Sequence, residues 1–571
     1  MKHFKNGPLS VRHLRSRISA RYQRSSSAKV APIVFRPGKQ TGPLLISMLL
    51  LYGQTGHAEE NTPTSDYFYQ DFPVVLTASR LSQPLSEAPS AMTVINREMI
   101  RASGFRTIPD LMRLVPGMYV GFADANRPVV SLHGSSDEYA HRMQILIDGR
   151  SVYFPPFGGV NWADMPIMIE DIERIEVVRG PATSAYGTNS FYGVINIITR
   201  DAASQNGGSI SVTEGDASDS SVRFGKAGEQ FDYRISLGSR ADRGIDDTRL
   251  NDHNETHIFN FRSNYHPNAT DNIDVQLGRS FGVFGLGVAG RPEDAFRETI
   301  SNSNFIQTSW VHVWPASNET KLTYSQSSRS YLDPYQCIDS AACQGNKLTA
   351  TPPVSIAQGF TELPVYSQRK ELEMQNTNQL NENNRLVWGA GLRRDYADYQ
   401  LFLGQPHAVS PWQLFAHEEW RITSTTVLNI GTMYEDNGMG SRNNSPRASI
   451  SHHFTPQHTM RIGVSTATRS PVMSEAFIAA NNTIWGGAYV PPVTPLTPER
   501  VLSREIAYIG DFQSLGLTID ARMYIDQVSD LIWWDKYVTT GDPNSAPDSY
   551  KNLLSAEYKG FDATVTTGMM G

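Results

Sequence analysis

Residues 172–200 read IERIEVVRGPATSAYGTNSFYGVINIITR, and the fold turns on how this stretch is parsed. Ile172, Ile175, Val177 and Val178 make an apolar run that stops at Arg179-Gly180-Pro181. Glycine there supplies backbone angles closed to other residues and proline fixes φ, so a strand ends in a turn. Tyr186-Gly187 and Tyr192-Gly193 punctuate a loop of small residues. Val194, Ile195, Ile197, Ile198 and Thr199 then resume with the β-branched bias of a second strand. The stretch predicts strand, turn and strand.

Other segments stand in order around it. Upstream come 71–78 (DFPVVLTA), 111–117 (LMRLVPG), 131–134 (SLHG) and 145–149 (ILIDG). Together with the closing run these resemble the plug domain of TonB-dependent outer-membrane transporters. Downstream, Ser445-Pro446-Arg447-Ala448, Thr468-Arg469-Ser470-Pro471 and Leu496-Thr497-Pro498-Glu499-Arg500 resemble later landmarks of the same family's barrels. The resemblance implies a mostly-β fold: a transmembrane antiparallel β-barrel of about 22 strands with an α+β plug in its lumen. It implies a periplasmic leader at 59–78, a plug at 79–202 and a barrel at 203–571. It makes Pro73, Val74, Val75, Leu76, Thr77 and Ala78 the TonB box, a strand-forming segment that the energy-coupling protein grips. It makes Asp148, Gly149, Arg179, Gly180, Pro181, Tyr186, Gly187 and Gly193 plug-core positions. Arg179 is expected to face barrel acids, with Glu371, Glu373, Glu418 and Glu419 as candidates. The family commonly has arginine where this chain has His133, which implies a buried charge that is missing or pH-sensitive.

Composition fits a barrel and excludes other classes. The chain has 571 residues, 39% hydrophobic, with 44 glycines. Its longest apolar run, near 44–52, is shorter than the ~20 residues of a spanning helix, whereas barrel strands hide their lipid face in alternation. Residues 1–58 carry ten basic and no acidic residues, then an apolar 43–52 and a small-residue site at Gly56-His57-Ala58. This predicts a signal peptide with a long basic leader, the alternatives being a misassigned start or a transit peptide. Without it the chain has 17 more acidic than basic residues, which speaks against nucleic acid as a partner. Cys337 and Cys343, in an exported loop, are expected to pair as a disulfide.

After Arg200 the texture alternates. Phe231, Tyr233, Ile235 and Leu237 interleave with Asp232, Arg234, Ser236 and Gly238; Leu517, Ile519, Ala521, Met523 and Ile525 interleave with polar neighbours. Alternation predicts strands with one apolar face, which a soluble sandwich would turn inward and a membrane barrel outward. Long polar stretches at 241–255 and 330–364 favour extracellular loops of a barrel. The chain stops soon after a strand-like 560–566, so the expectation is a barrel lacking its last strands.

The enzyme signatures that occur are incomplete. Gly285, Gly287 and Gly290 fit G-x-G-x-x-G, but Arg291-Pro292 follows where a phosphate-binding helix should start. His417-Glu418 lacks the second histidine of a zinc protease, and the acidic 242–255 stretch lacks EF-hand spacing. No catalytic residue, metal or cofactor is assigned. The function implied is active import of a scarce solute across the outer membrane of a Gram-negative bacterium, with TonB, outer-membrane lipid and a small metal chelate as partners. An iron–siderophore complex is the expected cargo, with cobalamin or another metal chelate as the alternative. A soluble secreted β-rich binding protein or enzyme is the reading from another class. The loop 151–162 is either packing or a binding surface; its Tyr153, Phe154, Phe157, Asn161 and Trp162 are the candidate ligand contacts. Haem-uptake members carry a histidine between the two late landmarks, and 471–499 contains none.

Overall fold

The computed structural model describes residues 74–133, 139–215, 217–290, 295–315, 318–335, 361–478, 491–492, 494–534 and 549–567. The expected signal segment, Pro73, Cys337 and Cys343 lie outside them.

The opening stretch folds as read: Ile172–Arg179 and Gly193–Thr199 pair antiparallel, with Arg179 opposite Gly193. They form the middle of a five-stranded sheet with Ala91–Asn96 on one side and Met143–Ile147, then Arg150–Ser151, on the other. Met143–Ile147 runs parallel to Gly193–Thr199. A side chain at 193 would stand 2.4 Å from the Val178 carbonyl, so only glycine lets the two strands approach there. Ile145, Ile175, Val177, Ile195 and Ile197 are completely buried beneath this sheet. Each contributes about 1.5–3 kcal/mol by leaving water. Thr107 caps the short helix Ile108–Leu111 by accepting from the Asp110 amide at 3.2 Å.

From Gly207–Thr213 to Tyr550–Thr567, the described residues contribute 17 strands to one antiparallel meander. Its alternation is inverted relative to a soluble sandwich. On Phe231–Asp242, Phe231 and Leu237 are about half exposed (49% and 52%) while Arg234 is 1% exposed. On Leu517–Trp534, Met523 is 58% exposed and Arg522 2%. Hydrocarbon outside and charge inside is the pattern of a wall standing in lipid, and it removes the soluble alternative. Connections at one end are short (227–230, 266–270, 382–383, 424–425, 456–457), and the other end carries the long ones (243–253, 287–296, 399–411, 470–498) beside the short turn 437–441. Short turns mark the periplasmic end of such barrels and long loops the outer end. The expected loop at 330–364 is partly strand, since Asn318–Tyr335 and Thr361–Asn381 run into it. At 18 and 21 residues they exceed the ~9–11 that cross a bilayer and rise beyond it.

The sheet wraps the plug and meets it with opposite charges. Arg179, completely buried, binds Asp520 at 2.6 Å and lies 3.8 Å from Asp562. Arg522 donates to the Arg179 carbonyl at 2.5 Å and pairs with Asp562 at 2.8 Å. The four glutamates expected for Arg179 are therefore corrected to Asp520 and Asp562. Glu373 instead holds Arg80, and Glu419 accepts from Gln83. Elsewhere Asp171 of the plug takes Arg223 at 2.6 Å, and Arg142 shares Glu499 with Arg469 at 2.7 and 2.8 Å. His133, in the left-handed region at φ 59°, meets the Tyr524 hydroxyl at 2.6 Å. Burial, then the positive charges of Arg522 and Arg179, push its pKa down to about 4 despite the opposing pull of Asp562, so it is neutral near pH 7.

Two outcomes are expected. Asp520→Asn should destabilise the folded protein by about 3 kcal/mol because Arg179 stays buried with its main partner gone. The Arg179→Met/Asp520→Leu pair should recover most of that loss, as read from the temperature at which the folded electrophoretic band converts. For His133, the folded pKa lies below the unfolded value, so the unfolded chain takes up the proton first as pH falls. Stability should drop between about pH 6.5 and about pH 4, and His133→Gln should flatten that drop in thermal melts.

Candidate ligand pocket and coupling segment

Loop 151–162 reaches the long-loop end of the wall. The turn Asp148-Gly149 launches it, with φ of 49° and 82°, and Asp148 is fixed by accepting from the Thr199 amide and hydroxyl at 2.8 and 2.7 Å. The loop is pinched shut by the Phe154 amide donating to the Gly159 carbonyl at 2.7 Å. Its tip then splits the candidate contacts. Phe154, Phe157, Asn161 and Trp162 line a cavity of about 640 Å³ between plug and wall. Tyr153 turns the other way, 4% exposed, donating to the Ala140 and Met143 carbonyls. It belongs to the packing and to a smaller recess below.

Tyr139 and residues 126–128 of the plug, and a larger set of wall residues, supply the rest of the cavity. Phe157 meets Phe402 and Tyr139 at 5.2 Å each and Tyr399 at 5.7 Å between ring centres. Arg329 lies 4.8 Å over the Phe154 ring and is held by Asp164 at 2.9 Å; Arg297 is held by Asp333 at 2.6 Å. The result is an aromatic chamber with oriented guanidiniums at its margin, suited to a ligand with a flat apolar face and polar edges. Of the lining, sequence reasoning named Phe154, Phe157, Asn161 and Trp162 and did not name Arg297, Arg329, Tyr331, Tyr399 and Phe402. Those residues sit on strands and loops 135 or more positions away, with no local pattern to link them. The Gly285–Gly290 run, weighed as a dinucleotide fingerprint, forms the end of strand Asp271–Leu286 and a turn on the cavity rim.

The other end holds the segment expected to be the TonB box. Val74–Val75 pairs antiparallel with Gln83–Pro84. Val75, Thr77 and Ala78 are buried while Val74 and Leu76 are exposed. The amides of Leu76 and Thr77 and the Thr77 hydroxyl all donate to the Glu176 carboxylate, at 3.2, 3.0 and 2.5 Å. Arg80 forks onto Glu373 at 2.5 and 3.0 Å, donates to the Ala185 carbonyl at 2.5 Å, and lies over the rings of Tyr186 and Phe415 at 5.1 and 4.1 Å. Glu87 binds Arg421 at 2.7 Å near a short turn. Burial alone would raise the Glu87 pKa, but His453, 3.4 Å away, and the hydrogen-bonded Arg421 bring it below the usual carboxylate value. Of the remaining plug landmarks, Gly180 has φ 118° beside Arg522, and Tyr186-Gly187 abuts the wall at Gln413 and Met433. Pro181 is buried.

Known proteins place this arrangement. Residues 84–194 match the TonB-dependent receptor plug domain, and residues 198–568 match the TonB-dependent receptor-like β-barrel. The iron-regulated outer membrane virulence protein of Vibrio cholerae is 24% identical over 92% of this chain and 78% of its own length. The vitamin B12 transporter BtuB of Vibrio vulnificus is 23% identical over 86% of this chain and 74% of its own. Among solved structures, the siderophore receptor PirA from Acinetobacter baumannii superposes with a TM-score of 0.68 at 15% identity, covering 84% of this chain and 78% of that one. With both of the family's domains matched in order and a wall of inverted amphipathic strands around a charged plug, the chain belongs to the TonB-dependent receptor family.

Proposed function

We propose that this protein is an outer-membrane receptor of a Gram-negative bacterium that binds a metal chelate, best an iron–siderophore complex, and imports it when TonB engages residues 74–78. The observation that carries the reading is the placement of two features at opposite ends of one lumen. An aromatic chamber opens among the long loops, and a strand-forming segment is tethered at the short-turn end. The family consists of transporters and receptors rather than enzymes. Siderophore receptors among the structural neighbours and an iron-regulated relative support iron as the metal. The B12 transporters among the relatives keep cobalamin as the second reading.

The mechanism follows from which strand each contact uses. Glu176, which tethers the coupling segment, and Arg179, which seats the plug on Asp520, lie on the same central strand Ile172–Arg179. When a partner strand pairs with Val74–Val75, its main-chain hydrogen bonds compete with those to Gln83–Pro84. Force on the segment is then delivered through Glu176 to the strand whose far end carries the plug's buried charge. Arg80 provides a second grip, on Tyr186 and on the wall through Glu373.

Quenching of Trp162 fluorescence by a panel of chelates tests the cargo. A ferric siderophore should bind tightly and Phe157→Ala should weaken it about tenfold by removing one aromatic wall; tight haem binding with no response to any siderophore would overturn the assignment. Val75→Pro should abolish uptake while leaving chelate binding at the cell surface intact, because proline removes a ladder donor and distorts the segment. Unchanged uptake would show that the coupling segment lies elsewhere.

A further inference from the structure

Beneath the aromatic chamber, plug and wall enclose a second cavity of about 50 Å³, and Phe154, Asn161 and Arg329 line both. Arg150 enters it from the plug. Ile147 pairs with Arg150 across Asp148-Gly149, both at positive φ, a two-residue hairpin turn for which Asp-Gly is well suited. The Arg150 side chain is thereby thrown against the wall, where its guanidinium sits 3.8 Å from the centre of the Phe305 ring.

The charge on Arg150 is uncompensated. The residue is 5% exposed, forms no ion pair among the described residues, and leaves Nε and Nη2 without a hydrogen-bond partner. Arg142, Arg179 and Arg80 of the same plug each hold a wall carboxylate. Asp148 attracts Arg150 from a distance but is engaged by Thr199. Burial pushes the Arg150 pKa down to about 10, which leaves it charged at neutral pH. Arg329 and Arg369 also line the cavity, yet Asp164 and Asp395 neutralise them at 2.9 and 2.7 Å. Ser303, Ser327 and Ser367 contribute to the lining as well.

A buried, unpaired cation among hydrogen-bonding groups is costly to maintain and is relieved by a counter-ion. Nε and Nη2 form the side-on fork of a guanidinium, whose spacing matches the two oxygens of a carboxylate. About 10–15 Å³ of such space holds one water, so the cavity has room for a carboxylate-sized group. We propose that this cavity is an anion subsite in which the Arg150 guanidinium holds one carboxylate or a comparable small oxyanion. The anion arrives free from the medium or as an acidic arm of the chelate seated in the chamber above; the second source rests on the import reading.

The test has two arms. Crystals of the full-length protein in detergent, soaked in sodium bromide, should show an anomalous peak within hydrogen-bond reach of Arg150. Excess formate should displace it, and Arg150→Met should lack it. In the second arm, a ferric chelate with a free carboxylate is compared with its methyl ester by Trp162 fluorescence. The acid should bind about tenfold more tightly to the wild type and equally with its ester to Arg150→Met. If that variant does not fold, Arg150→Lys should keep the bromide peak and lose the preference for the acid. A bromide peak with equal binding of acid and ester assigns the free anion. A bromide peak with neither chelate bound overturns the import of such chelates and leaves the anion subsite standing. Water alone at Arg150 in the soaked crystal, with no preference for the acid, overturns the proposal.

Discussion

A wall that shows hydrocarbon outward must gather its charges inward, and everything else in this molecule answers that constraint. Arg234, Arg369, Arg461 and Arg522 all point into the lumen and are nearly inaccessible to solvent. Ions removed from water cost free energy unless they are met by opposite charge and hydrogen bonds. Some of that pairing occurs within the wall, as between Arg369 and Asp395 or Arg461 and Glu505. The rest is made with the plug, whose Asp171, Arg142 and Arg179 meet Arg223, Glu499 and Asp520. The plug is thus an ionic complement to the wall as well as an object that fits inside it.

Ionic seating suits a part that must hold and then move. Buried apolar packing resists displacement in proportion to area, whereas pairs such as Arg179–Asp520 are directional and open when water enters. The apolar core of the plug, around Ile175, Ile195 and Ile197, extends to Ala467, Val501 and Val528 of the wall. The boundary with the wall is where polar contacts concentrate. Cohesion inside the plug is hydrophobic, and its attachment to the wall combines buried ion pairs with smaller apolar contacts such as Leu81 against Val387, Phe415 and Met433.

The two ends of the lumen differ in kind. At the long-loop end, rings from plug and wall leave a chamber unfilled, with Arg297 and Arg329 pre-oriented by carboxylates. At the short-turn end the chain is tightly held: Glu176 collects three donors, and Arg80 is clasped by Glu373 and two rings. The strand Ile172–Arg179 carries both the Glu176 tether and the Arg179 pair with Asp520.

The plug was legible in the sequence because its signals are local. Arg179-Gly180-Pro181 must turn, Asp148-Gly149 must form a tight hairpin, Thr107 must cap, and β-branched runs must pair with a neighbour a few residues on. The strand alternation was equally plain, but its meaning was not, since a period of two is the same whether the apolar face meets a core or lipid. Exposure of Met523 beside burial of Arg522 decided that. Which acid would meet Arg179 depended on how 17 strands curl, which brings residues 341 positions apart into contact, and nothing near Glu371 or Asp520 encodes it. The same holds for the chamber: Phe157 was readable as an aromatic in a loop, whereas Tyr399 and Phe402 become its partners only when the wall curls around the plug. Sequence determined the elements and their faces through short-range sterics and hydrophobic period, and tertiary structure alone chose the partners, because long-range pairing is settled by the register of the whole sheet.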